Sequence, residues 1–176
     1  MSTLTLKELS APTGEVIKIA SGKTLDLNSQ GTLILPTVPS AKMPTGSVLQ
    51  VLQASSDTQL TTSNTGMTDT GHSITITPRS TASKVLATCS FNAQLTNSNG
   101  LQYVLYRGST QIGDIGIAYQ SGATNTHFPV TQSVLDSPSS ASAVVYKLYI
   151  RANGSGSVRL AADWGHVLMT AMEIQG

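Results

Sequence analysis

The stretch Val85-Leu-Ala-Thr-Cys-Ser-Phe-Asn-Ala-Gln-Leu95 decides the fold class of this chain. Its odd-numbered positions are apolar, and its even-numbered positions are polar except for Leu86. A two-residue repeat over eleven positions is typical of a β-strand with one buried face and one polar face. After a turn at 97–100 the alternation resumes at 101–105, which predicts an antiparallel hairpin with the first strand.

The same alternation recurs in short runs separated by turn-forming residues. No window of a dozen residues carries the apolar stripe of an amphipathic helix, so the chain is expected to be all-β. Nine or so strands at this spacing indicate a jelly-roll-like antiparallel β-sandwich over residues 46–176. Gly113 and Gly116 interrupt one run and predict a bulge or a close backbone approach there. Besides the opening stretch and its partner, the runs are 48–54, 59–64, 73–77, 111–119, 128–135, 144–152, 158–162 and 168–174.

Residues 1–45 form a separate N-terminal region of apolar runs only three to five residues long, which we interpret as a short-strand stalk or adaptor. A ribbon of this size is marginal in water, so it is expected to lean on the rest of the chain or on copies of itself. Three prolines within 36–44 predict a stiff, extended boundary. In a homotrimer, every strand edge could pair, and a shared axial core would be formed by Leu25, Leu27, Leu33 and Leu35.

Composition excludes several classes of protein. Only 11% of the residues are charged, the net charge is +1 and no cluster of Lys or Arg occurs, so nucleic-acid binding is not expected. No apolar run approaches the ~20 residues of a membrane-spanning helix, so membrane insertion is not expected either. Cys89 is the single cysteine, so a disulfide within the chain is excluded. Lys7 and Glu8 interrupt what would be the apolar core of a signal peptide, so no such peptide is expected. We therefore expect synthesis in a reducing cytoplasm and, if the protein works outside a cell, release by lysis or within a particle.

No catalytic or metal-binding constellation is apparent in the sequence. A Gly-x-Ser-x-Gly nucleophile motif is absent, and the nine carboxylates occur singly. His72, His127 and His166 lack the spacing of metal ligands and are interpreted as loop histidines. The sequence therefore predicts no enzyme activity, no catalytic residue, no metal and no cofactor.

Three residues are candidate contacts for a ligand or receptor. Trp164 lies in Asp163-Trp-Gly-His166 between the last two predicted strands, and exposed loop aromatics often stack on sugars or proteins. The alternative is that Trp164 closes one end of the sandwich, because large aromatic side chains are mostly buried. His166 and Tyr119 are the other two candidates.

Several segments together carry a family resemblance that covers most of the chain. They are Leu4-Thr-Leu-Lys-Glu-Leu, Ile19-Ala-Ser-Gly-Lys-Thr-Leu-Asp, Pro44-Thr-Gly-Ser-Val-Leu-Gln-Val-Leu-Gln-Ala, Ile74-Thr-Ile-Thr-Pro-Arg-Ser-Thr-Ala-Ser-Lys-Val-Leu, Leu105-Tyr-Arg-Gly-Ser-Thr-Gln-Ile and Leu135-Asp-Ser-Pro-Ser-Ser-Ala-Ser-Ala-Val-Val-Tyr-Lys-Leu-Tyr-Ile-Arg. Because of the order and spacing of these segments, the chain resembles small fibre and tail-fibre-like virion proteins of tailed bacteriophages, especially phages of marine and cyanobacterial hosts.

This resemblance implies a structural virion protein, a homotrimeric fibre or spike. Its N-terminal region would attach to other virion proteins, and its sandwich would be an outward knob that adheres to a host-surface glycan or protein. The chain is shorter than many tail fibres, which leaves open a tail-fibre tip, a capsid fibre or a decoration protein. Two alternatives stand beside it: a monomeric carbohydrate-binding β-sandwich that belongs to no particle, and a trimeric glycan hydrolase. Mass in solution separates the first of these from the fibre.

Overall fold

The computed structural model describes residues 39–96, 100–119, 125–161 and 165–176. The chain divides into two units between Thr37 and Val38, and all of the described residues belong to the second unit. Trp164 and the four leucines expected in an axial core, Leu25, Leu27, Leu33 and Leu35, lie outside the described residues.

The described residues form eleven β-strands and one three-residue 3₁₀ helix, Ser40–Lys42, so the all-β prediction is confirmed. The predicted run 111–119 is divided between two strands, and most of the other boundaries differ from the predicted runs by a few residues. The strands are β1 (Val48–Ser56), β2 (Leu60–Thr62), β3 (Thr68–Ile76), β4 (Lys84–Thr96), β5 (Gly100–Arg107), β6 (Thr110–Gln111), β7 (Gly116–Tyr119), β8 (Thr126–Asp136), β9 (Val144–Ala152), β10 (Ser157–Leu160) and β11 (Val167–Ile174).

Two antiparallel sheets make up the sandwich. In sheet A the order is β1-β11-β4-β10-β2, and β8 pairs with β4 along its other edge. In sheet B the order is β3-β9-β5-β6, and β7 also pairs with β5. Among the longer strands the orders are therefore β1-β11-β4-β8 and β3-β9-β5-β7. The chain changes sheet at nearly every step between them, which is the jelly-roll arrangement.

The predicted hairpin between β4 and β5 is wrong, because the two strands belong to different sheets. Strand β4 pairs with β8, β10 and β11, whereas β5 pairs with β6, β7 and β9. Each of the two strands buries its apolar face against the opposite sheet. The chain must therefore cross from sheet A to sheet B between β4 and β5. Phe91 of β4 meets Tyr103 of β5 edge to face across that core, with ring centroids 5.7 Å apart.

The inward residues of the predicted strands form the core. All six odd-numbered side chains of the opening stretch are buried, as are Tyr146, Leu148 and Ile150 on β9. The close approach predicted at the two glycines is also confirmed. A Cβ atom at Gly116 would overlap the ring of Tyr103, and one at Gly113 would lie 2.7 Å from Cγ2 of Val134.

The chain enters the sandwich through a turn rather than an extended segment. Within the predicted stiff boundary, the amide of Lys42 donates to the carbonyl of Pro39 at 2.8 Å and closes the 3₁₀ turn. A proline at this position favours a turn because its φ, −57°, already suits one. The amide of Gly46 then donates to the carbonyl of Gln175, which places the start of β1 beside the end of β11.

Candidate functional site

The outward side of sheet A is the surface that stands out, because among its described residues on β1, β11, β4 and β8 only Lys84 is charged. Alternation along β4 directs Val85 and its odd-numbered successors into the core and the even-numbered residues outward. We call the outward side of β1, β11, β4 and β8 the A face. Its residues include Val48, Val51, Gln53, Ser55, Lys84, Leu86, Thr88, Ser90, Asn92, Gln94, His127, Pro129, Thr131, Ser133, Leu135, Leu168, Thr170, Met172 and Ile174.

One row of this face is apolar across four strands. Val51 is paired with Met172, Met172 with Leu86, and Leu86 with Leu135. The two ends of the row are the most exposed, Val51 at 53% and Leu135 at 56%. We call these four residues the apolar row. Large apolar side chains in one contiguous line on a surface are typical of a contact with another molecule.

The middle of the A face carries hydroxyl groups in place of charges. Oγ1 of Thr88 lies 2.9 Å from Oγ of Ser133, and Oγ of Ser90 lies 2.9 Å from Oγ1 of Thr131. These cross-strand pairs satisfy one another within the sheet. The charged residue on the face is Lys84 at the start of β4, and Arg159 on β10 borders the other end.

The outward side of sheet B, the B face, has the opposite character. Nζ of Lys147 donates to Oδ2 of Asp69 at 2.8 Å, and the hydroxyl of Tyr149 lies 3.3 Å from the same oxygen. Tyr106 packs on Tyr149 with ring centroids 4.1 Å apart. Burial raises the pKa of Asp69, but hydrogen bonds from Lys147 and from the amide of Gly71, together with the charge of Lys147, outweigh it and lower the pKa.

Two further ionic groups hold the scaffold at the end where β1 begins. Nη1 of Arg107 donates to both carboxylate oxygens of Asp136 at 2.9 Å, and the hydroxyl of Tyr146 donates to Oδ2 at 2.8 Å. This network joins β8 of sheet A to β5 and β9 of sheet B. Burial, followed by the hydrogen bond to Asp136, raises the pKa of Tyr146, so its hydroxyl stays protonated as a donor.

Glu173 is the second such group, and its side chain is fully buried. Its carboxylate accepts hydrogen bonds from Nε2 of Gln50 at 2.6 Å, from the amide of Arg79 at 2.6 Å and from the hydroxyl of Ser83 at 2.7 Å. Three donors compensate for the loss of water around a buried charge. The carboxylate is therefore a structural connection between the ends of β1, β11 and the β3–β4 loop.

The predicted receptor residues that the structure describes do not converge. Tyr119 ends β7 on the B face and is 62% exposed, as expected for a contact residue. His166 is also exposed, but it lies at the rim of the A face, where it lines a depression of about 540 Å³ with Asn92, His127 and Leu168. Tyr119 thus lies on sheet B, whereas His166 lies in the loop directly before β11 of sheet A.

The interpretation of all three histidines as loop residues is wrong for two of them. His127 lies in β8, and His72 lies in β3 with only 5% of its surface exposed. His72 continues the alternation of β3, in which Ile74 and Ile76 are also buried, although the backbone bulges beside it at Gly71, which has a φ of +78°. Its Nε2 finds no hydrogen-bond partner among the described residues. Burial lowers its pKa below 6.5, against the effect of a hydrogen bond to the backbone of Thr58.

Metal-binding clusters and membrane-spanning helices are both absent from the part of the chain that the structure describes. Within those ranges, no three His, Cys, Asp or Glu side chains group closely enough to hold a metal ion. None of the described segments is a helix with the length and apolar character needed to cross a membrane.

The apolar row was missed by sequence reasoning. The one signal in the sequence was Leu86, an apolar residue among the polar positions of its strand. Its neighbours Met172 and Leu135 come from strands far away in sequence, and only the sheet register brings them beside it.

Comparison with known proteins gives distant structural matches alone. No protein-family model and no curated protein matches the chain. A chain from Bacillus endospore appendages, described as a novel family of disulfide-linked pili, is 12% identical with a TM-score of 0.32, over 76% of this chain and 96% of that one. A chain from the T13 viral particle of IBDV is 13% identical with a TM-score of 0.41, over 81% and 40%.

A chain from a subviral particle of infectious bursal disease virus is 13% identical with a TM-score of 0.37, over 81% and 42%. This chain thus spans about two fifths of the length of the two viral chains. All three TM-scores lie below 0.5, so the likeness carries no assignment of function.

Proposed function

We propose that this chain is a structural virion protein, a homotrimeric fibre or spike of a tailed phage. Residues 1–45 attach it to other virion proteins, and residues 46–176 form a β-sandwich knob. The observation that supports this role is the contrast between the two outer faces. The B face carries an ion pair and stacked tyrosines, whereas the A face has an exposed apolar row and, among the described residues of its four strands, a single charged side chain, Lys84, at one end.

A surface of this kind favours assembly. Depletion of charge and exposure of large apolar side chains distinguish the centre of a protein interface from ordinary surface. The ionic groups at the end of the sandwich meanwhile connect its own strands, through Asp136 and Glu173. Such a subunit contributes rigidity and a contact surface, and its role is structural rather than catalytic.

The knob is also the part that would adhere to a host. Tyr119 and Ile117 are both more than half exposed on β7, at the edge of sheet B. An exposed tyrosine beside an apolar side chain provides a flat surface on which a sugar ring can stack. This observation favours the second candidate function, a carbohydrate-binding module. The two candidates differ in assembly, because the module would be monomeric.

The test combines mass in solution with location on the particle. Sedimentation equilibrium of the full chain is expected to give about 55 kDa, three times the 18.3 kDa of one copy. Antibodies against the sandwich are expected to label virions in electron micrographs. A monomer at all concentrations, without labelling of virions, would overturn the proposal and favour the carbohydrate-binding module.

A further inference from the structure

We propose that a cleft between the β6–β7 loop and strand β8 binds a neutral saccharide, with Asp114 and Gln132 as acceptors for its hydroxyl groups. The cleft is lined by residues 111–114 and by residues 132–134 of β8. Its volume is about 530 Å³, which lies within the roughly 300–1,000 Å³ of small-molecule sites. The inference rests on the adhesive role of the knob in the proposed function, and it gives that role a site and a class of ligand.

The first argument is the side chain of Gln132, which occupies an inward position of β8 between Val130 and Val134. Its Nε2 atom donates to the backbone carbonyl of Asp114 at 2.7 Å, and this bond fixes the direction of the amide group. Oε1 of the same amide is buried and has no hydrogen-bond partner among the described residues. A buried acceptor without a donor is unfavourable, and a hydroxyl group of a ligand would supply the donor.

The second argument is the balance of donors and acceptors around the cleft. Nε2 of Gln111 donates to the carbonyl of Gly113 at 2.8 Å, so Oε1 is the atom of that amide left to accept. The exposed carboxylate of Asp114 is also an acceptor. Lys, Arg and His are absent from the described residues that line the cleft. The arrangement favours a ligand that donates hydrogen bonds and has no negative charge, such as a neutral sugar, over a phosphate or a sulfated glycan.

The third argument is the free edge of β8. Among the described strands, β8 pairs with β4 alone. Successive side chains at 132–134 point to opposite faces of the sheet, yet all three residues line the cleft, so the cleft runs along the other edge of β8. Successive residues of an antiparallel strand direct their N–H and C=O groups alternately toward the partner and away from it. At least one residue of 132–134 therefore presents a backbone donor and a backbone acceptor, and a sugar hydroxyl can bond to both.

The fourth argument is that the loop is fixed in place without a ligand. The amide of Ile112 donates to the carbonyl of Leu105 at 3.1 Å, which connects the loop to β5. Gly113 lies so close to β8 that a Cβ atom there would be 2.7 Å from Cγ2 of Val134. Polar groups that are already in position lower the free-energy cost of binding. Ile112 and Val134, both partly buried, also give the cleft an apolar surface for the C–H groups of a sugar ring.

Binding of simple sugars to the full-length protein tests the proposal. The probes are the methyl glycosides of glucose, galactose, mannose and N-acetylglucosamine, and binding is followed by saturation-transfer difference NMR in the presence of EDTA. We expect at least one glycoside to bind and to shift the backbone amide resonances of residues 111–114 and 132–134. Asp114→Ala and Gln132→Met are each expected to weaken this binding at least about tenfold.

Asp57→Ala is the matched control, because Asp57 is also an exposed aspartate between two strands but does not line the cleft. Its affinity for the same glycoside is expected to equal that of the wild type. Gln132→Met also removes the hydrogen bond to the loop, so its thermal unfolding is measured alongside. If that variant is destabilised, Asp114→Ala decides the result, because the exposed side chain of Asp114 can be removed while its carbonyl stays in place.

The proposal would be overturned if none of the glycosides bound, if Asp114→Ala bound as tightly as the wild type, or if binding appeared only when Ca²⁺ replaced EDTA. Binding that is lost in Tyr119→Ala but unchanged in Asp114→Ala would overturn it too, while keeping the adhesive role and placing the contact on β7. The mass of the trimer and the labelling of virions are measured without sugar. The proposed function and this site can therefore fail separately.

Discussion

The ring of Tyr103 lies directly over the backbone of Gly116, so that no side chain fits between β5 and β7 at this point. The same ring packs against Phe91 across the core at an interplanar angle of 84°. One glycine on an edge strand therefore determines how the aromatic contact between the two sheets is made.

Gly116→Ala is expected to destabilise the sandwich by about 1–3 kcal/mol, because its methyl group would displace the Tyr103 ring from Phe91. Urea unfolding followed by tyrosine fluorescence measures this change. Gly66→Ala is the control: a Cβ there would lie 3.4 Å from Oδ1 of Asn64, and its effect is expected to stay within about 0.5 kcal/mol. Equal effects of the two changes would contradict the close-approach explanation.

Tyr146→Phe is expected to cost about 2 kcal/mol, because it removes a hydrogen bond to the carboxylate of Asp136. In the Asp136→Ala background the same change is expected to cost at least about 1 kcal/mol less, since no carboxylate remains to accept the bond. A double-mutant cycle of unfolding free energies checks this. Additive effects would show that the hydroxyl contributes nothing through Asp136.

The thiol of Cys89 is expected to react with Ellman's reagent only after the protein unfolds. Burial raises its pKa to about 12, so the folded thiol is neutral as well as inaccessible at pH 8. The unfolded thiol ionises near pH 9, so the unfolded state releases its proton first. Stability is therefore expected to fall as the pH rises above about 9. Cys89→Ala should lack this part of the alkaline loss, and rapid labelling of the folded protein would refute the prediction.

His72 is expected to make the sandwich less stable in mild acid. Its pKa is lowered in the fold, so below about pH 6.5 the unfolded state takes up a proton that the folded state does not. The free energy of unfolding should therefore decrease as the pH falls from 7 toward 5. His72→Gln should remove that slope, whereas His127→Gln, on the exposed side of β8, should retain it. Thermal unfolding across this pH range distinguishes the two variants.

Local alternation in the sequence was sufficient for the strands but not for their partners. In Val85–Leu95 it predicted both the strand and the buried face, because period two follows from backbone geometry alone. The hairpin with β5 failed because turn length says nothing about which sheet a strand joins. The partners of β4 lie in β8, β10 and β11, far along the chain.

On the surfaces too, local features were predictable from the sequence, whereas features made by distant strands were not. The exposure of Tyr119 on β7 agrees with its choice as a contact candidate, since an edge strand leaves a large side chain uncovered. The buried hydrogen bonds of Glu173 were not predictable, because its donors come from Gln50, Arg79 and Ser83, about 90 residues or more away in sequence. The apolar row likewise exists only once four strands are in register.

The order of strands in sheet A has a consequence for synthesis on the ribosome. Strand β1 pairs with β11, and β4 completes its pairing only with β8, β10 and β11. Neither strand is fully paired until Val167–Ile174 has been made, so the edges of β1 and β4 lack hydrogen-bond partners during most of translation. Topologies dominated by such distant pairings fold slowly and expose apolar surface meanwhile. We therefore expect folding of the sandwich, and any association between copies, to follow translation rather than accompany it.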